Sequence, residues 1–84
     1  MKPYIFYYVI DEPDKNVFNQ KINQLARGGL TVKTYTAIPQ GIFIYHCALL
    51  SIFLNNEEEE TAVNRVISEV ITESMERTKE ELNS

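Results

Sequence analysis

Thirteen consecutive residues, Ile42 to Leu54, are almost wholly apolar, interrupted only by His46 and Ser51. Extended at ~3.3 Å per residue, such a run would span roughly 43 Å, so a bend or bulge is expected, placed near His46–Ala48. A strand apolar on both faces belongs in the middle of a sheet, with a neighbour on each side. Both its ends are punctuated. Pro39-Gln40-Gly41 reads as a short turn, which makes the preceding segment its antiparallel neighbour, and Asn55-Asn56 stops it.

The other neighbour must come from the N-terminus. Tyr4 to Ile10 (Tyr-Ile-Phe-Tyr-Tyr-Val-Ile) is β-branched and aromatic and of strand length. Asp11-Glu12-Pro13-Asp14 ends it, and Pro13 suits the first turn of a helix. From Asp14 to Arg27 the positions Phe18, Ile22 and Leu25, widened by Val17 and Ala26, form one apolar stripe. Arg27 complements the negative helix end and Gly28-Gly29 supplies a left-handed stop. Leu30 to Ile38 then alternates, with Leu30, Val32 and Ile38 on one face and Thr31, Lys33 and Tyr35 on the other. After the long strand, either Asn caps a second helix whose stripe is Val63, Val66, Ile67, Val70 and Ile71. That helix can reach Asn83, a length of ~39 Å, and residues 72–84 are expected to project, fray or pack on another subunit.

The connection rules turn this order into an α+β domain, β-α-β-β-α. The sheet has three antiparallel strands in the order 1-3-2, with both helices on one face. It is a ferredoxin-like unit lacking its fourth strand, and its first strand has an open edge. The 84 residues suffice for a single domain, which at this size buries only ~60–65% of its unfolded surface.

The formal net charge of −4 is unevenly placed. Residues 1–54 hold five basic and three acidic groups, and residues 55–84 hold three basic and nine acidic. No basic cluster is present to release counterions, so direct binding to nucleic acid or an anionic membrane is not expected. No run of eighteen apolar residues exists to span a bilayer. The segment from Met1 enters the first strand without a small-residue cleavage site, so no signal peptide is expected. A single cysteine, Cys47, makes no internal disulfide and fits a reducing cytoplasm.

Two surfaces are candidates for binding. Assigning the aliphatic sets to the helix side (Ile5 and Val9; Ile42, Ile44, Ala48, Leu50 and Ile52, together with His46) leaves Tyr4, Phe6, Tyr8, Tyr35, Phe43 and Tyr45 on the other sheet face, with Lys33 nearby. An apolar, tyrosine-rich patch of that size marks an interaction site, and a homodimer through this face or the first-strand edge is its leading use. The second surface is the helix row Glu69, Glu73, Glu76 and Glu80, three and four residues apart. It reads as a solvated face, with Arg65 able to pair with Glu69 and Glu73 with Arg77, or as a dock for a basic or nucleic-acid-binding protein.

Catalytic constellations are thin, and no cofactor is implied. His46 and Cys47 are strand neighbours and point to opposite faces, so they form neither a metal pair nor a nucleophile–base pair. Asp11, Glu12 and Asp14 cluster where a divalent ion could sit. Tyr8-Val9-Ile10-Asp11 is loosely similar to the first strand of small dimeric ferredoxin-like nucleases of adaptation systems. That likeness implies a metal-dependent enzyme using Asp11, although those proteins place a helix before the strand that here follows at once. Helix capping is the plainer role for these acids.

A second resemblance runs through Ile22-Asn23-Gln24-Leu25, Val32-Lys33-Thr34-Tyr35 and Ala48-Leu49-Leu50-Ser51-Ile52-Phe53. With these the stretch Phe18 to Phe53 resembles small single-domain proteins of Firmicute sporulation loci and prophages. The resemblance implies a compact accessory protein and no chemistry. The expected function is therefore protein–protein binding by a small, dimeric accessory protein, such as a phage or mobile-element modulator of a host protein. A regulatory dimer binding a small ligand and the Asp11 metal enzyme are the alternatives.

Overall fold

A computed structural model describes the backbone of residues 1–83 and the side chains of residues 1–71. The elements are β1 (Tyr4–Glu12), α1 (Lys15–Arg27), β2 (Thr31–Gln40), β3 (Phe43–Leu54) and α2 (Glu57–Asn83). The sheet order is β1-β3-β2, and both neighbours of the apolar strand run antiparallel to it. The long apolar run therefore sits where its composition demands, hydrogen-bonded on both sides.

Local chemistry sets the helix ends. The Asp14 carboxylate Oδ1 accepts from the backbone N–H of Asn16 at 2.8 Å and Val17 at 3.2 Å, capping α1. At its other end the Leu30 N–H donates to the Leu25 carbonyl and the Gly29 N–H to that of Ala26, a Schellman closure. Gly29 takes the left-handed turn at φ 98°. Asn56 caps α2 through Glu59 N–H at 3.0 Å, and the Glu59 carboxylate reaches back to the Asn55 N–H at 2.7 Å.

Both helices press on one face of the sheet. Phe18 and Leu25 of α1, and Val63, Ile67 and Val70 of α2, meet Ile10, Leu30, Ala48, Leu50 and Leu54 in one buried cluster. Val66 packs against it, while Ile71, counted in the stripe, stays exposed. Arg65 and Glu69 are exposed, and no ion pair joins them among the described residues.

The sequence expectation is corrected at three points. β1 turns the other way: Phe6, Tyr8 and Ile10 pack toward the helices, and Ile5, Tyr7 and Val9 face outward. Tyr4 is on the helix side too, where its hydroxyl donates to the Glu60 carboxylate of α2 at 2.9 Å. That hydrogen bond, then desolvation and the carboxylate's charge, raises the Tyr4 phenol above its ordinary pKa. The irregularity lies in β2, between Val32 and Thr34, rather than near His46–Ala48, where β3 pairs without a break. The bulge reverses the alternation after Val32, sending Tyr35 to the helix side and Ile38 to the outer side.

Gly28 packs directly against the second helix. A Cβ there would lie 2.9 Å from both γ-carbons of Val66, whose β-branched side chain has little rotamer freedom in a helix. Gly28→Ala is expected to cost about 1–3 kcal/mol by overpacking. Adding Val66→Ala should recover part of that loss in urea denaturation. An unchanged midpoint for Gly28→Ala alone would show that the helix pair separates freely.

Candidate functional site

The strand pairings define the face that no helix covers. From β1 it takes Ile5, Tyr7, Val9 and Asp11, opposite Phe53, Ser51, Leu49 and Cys47 of β3. From β2 it takes Thr31, Thr34, Thr36, Ile38 and Gln40, opposite Ser51, Leu49, Cys47, Tyr45 and Phe43. The apolar part is broad: Ile5 is 52% exposed, Tyr7 57%, Val9 65% and Phe53 56%, with Leu49 half-buried among them. Asp11 is the one charged residue in these rows. A β2 stripe of three threonines borders the patch, offering hydroxyls beside the apolar centre.

The sheet continues past this patch as a two-stranded ribbon. β1 ends its pairing at Glu12 opposite His46, so Phe43, Ile44 and Tyr45 pair only with Gln40, Pro39 and Ile38 of β2. Ile38, Ile42, Phe43 and Ile44 are exposed there. A two-stranded ribbon gains little stability of its own, so its apolar side chains do no folding work that explains them.

Of the residues expected on the binding face, Phe43 and Tyr45 lie on it. Tyr4, Phe6, Tyr8 and Tyr35 lie on the helix side. Ile5, Tyr7, Val9, Leu49, Phe53 and Ile38 form the rest of the apolar face, so it stays apolar but is more aliphatic than expected. Glu69 is exposed on the rim of a cleft between the helices, beside Gln24, Arg27, Gly28 and Val66. The side chains of Glu73, Glu76 and Glu80, and the expected projection of residues 72–84, lie outside the described residues.

The remaining polar candidates separate. His46 turns to the helix side, where its Nδ1 shares a 2.5 Å hydrogen bond with the Tyr35 hydroxyl and its ring stacks on Tyr35 and contacts Phe18. Cys47 faces outward opposite Asp11, as strand alternation requires. Asp11 lies on the open face, Glu12 pairs with Lys21 at 2.9 Å on the helix side, and Asp14 caps α1. The three acids do not converge, and among the described residues no group of three or more His, Cys, Asp or Glu could hold a metal ion. A shallow groove of about 320 Å³ lies between α1 and β2, lined by Lys15, Phe18, Asn19, Ile22, Val32 and Tyr35. No described helix is long and apolar enough to cross a membrane.

Against known proteins, no family model, no curated protein and no solved structure matches the chain.

Proposed function

We propose that this chain is a protein-binding domain whose helix-free sheet face docks on the apolar surface of another protein. The observation that carries the reading is the contiguous set of exposed Ile5, Tyr7, Val9 and Phe53 around half-buried Leu49, continued by exposed Ile38 and Phe43 and half-buried Tyr45. A small domain gains nothing in folding from apolar side chains it leaves in water, and patches of this kind serve binding. Apolar Tyr7, Val9 and Leu49 in the middle, with threonine hydroxyls at the border, match the usual division into an apolar core and a polar rim.

Co-purification from the native host tests the reading. The wild-type chain should carry a stoichiometric partner that Phe53→Lys/Ile38→Lys loses while remaining folded. Retention of the same partner by that variant would defeat the assignment of this face.

A further inference from the structure

We infer that β1 is the seam of a homodimer, two copies of the strand pairing antiparallel about a two-fold axis through Tyr8 to join the sheets edge to edge. The dimer deepens the binding role proposed for the open face: it rests on that role for its purpose, though not for its formation.

The two free edges of the sheet differ. An exposed strand edge recruits other strands unless it is blunted by a bulge, a lysine or a proline. β2 has all three: the irregularity between Val32 and Thr34, Lys33 within it, and Pro39. β1 has none of them. Its nine residues contain no proline, glycine or lysine, and its register with β3 runs unbroken from Tyr4 to Glu12. Its two charges, Asp11 and Glu12, are confined to the last two positions.

The strand is also complementary to itself. With Tyr8 opposite its own copy, Tyr7 faces Val9, Phe6 faces Ile10, Ile5 faces Asp11 and Tyr4 faces Glu12 of the second copy. The inner pairs match aromatic rings with β-branched side chains, a favoured cross-strand combination, and no like charges are opposed. A slip toward the C-terminal end of the strand would bring Asp11 and Glu12 toward their own copies. Because the axis is normal to the sheet, the helices of both copies stay on one side. Ile5, Tyr7 and Val9 of each copy then become the middle of one continuous open face.

Light scattering on the purified chain should give twice the 9.7 kDa monomer mass at low micromolar concentration. In a Cys47→Ser background, Tyr7→Cys chains mixed with Val9→Cys chains should form a disulfide between the two species under mild oxidation, and either variant alone should form far less. A monomer mass at every concentration, or cross-linking no better in the mixture than in the single variants, would overturn the seam. The two proposals fail separately, since Phe53 and Ile38 lie off β1. A monomer that loses its partner in Phe53→Lys/Ile38→Lys keeps the face and loses the seam. A dimer whose partner survives that variant keeps the seam and loses the face.

Discussion

Leu50→Ala is expected to cost about 2–5 kcal/mol of folding stability, and Leu49→Ala, its neighbour in β3, about 1 kcal/mol in the free chain. The residues are chemically identical and adjacent, and they differ in the face they occupy. Leu50 is fully buried, a member of the core cluster that also holds Phe18, Leu25, Ala48 and Val63 under both helices. Truncating it removes apolar contact and leaves a cavity that the packed helices cannot fully close. Leu49 points to the open face, half in water already, with no layer above it to leave a void. A domain of 84 residues has a total stability of roughly 4–13 kcal/mol, so the first loss unfolds a large fraction of the protein and the second does not. Urea denaturation reads the difference: the Leu50→Ala midpoint should fall by more than about 1 M. Equal shifts for the two variants would mean that both sheet faces are buried within this chain.

Phe53→Lys/Ile38→Lys should leave the free protein's stability within about 0.5 kcal/mol and weaken partner binding by more than about 100-fold. Both side chains are about half exposed, on neighbouring strands, at opposite ends of the open face. In the free chain the lysine ammonium groups reach water by extending their stems. In a complex that covers the face, they would be stripped of water without an opposing carboxylate, at a cost of several kcal/mol. Thermal unfolding and titration against the purified partner separate the two effects. A large loss of thermal stability would instead mark the pair as structural.

The architecture was open to reading because its signals are local and mutually consistent. An apolar run between Pro39-Gln40-Gly41 and Asn55-Asn56 can only be a central strand, and the stripes Phe18-Ile22-Leu25 and Val63-Ile67-Val70 can only be helices lying on it. Asp14 and Gly28-Gly29 mark the limits of the first helix. The faces of the outer strands were harder. Seven apolar residues in a row, Tyr4 to Ile10, give alternation nothing to choose by, since either parity can face the core. The charges at the strand's end do not decide it either: Asp11 shares its parity with Ile5, Tyr7 and Val9, while Glu12 shares its parity with Phe6, Tyr8 and Ile10 and is held on the helix side by Lys21. In β2 one extra residue at Lys33 reverses every later side chain, and Tyr35 and Ile38 exchange sides. A bulge of this kind follows from the pairing of two strands, which no single segment displays. The candidate face was thus legible as an apolar sheet surface, but half of its members were not.

Radical footprinting of the chain in its native host cells, set beside the dilute purified chain, tests the central claim most directly. In dilute solution Tyr7, Val9 and Phe53 should label heavily, as their exposure requires. In the cell these three should be protected, while Tyr35, on the helix side, labels equally in both settings. Undiminished labelling of Tyr7, Val9 and Phe53 in the cell would show that nothing covers the open face and would contradict the account.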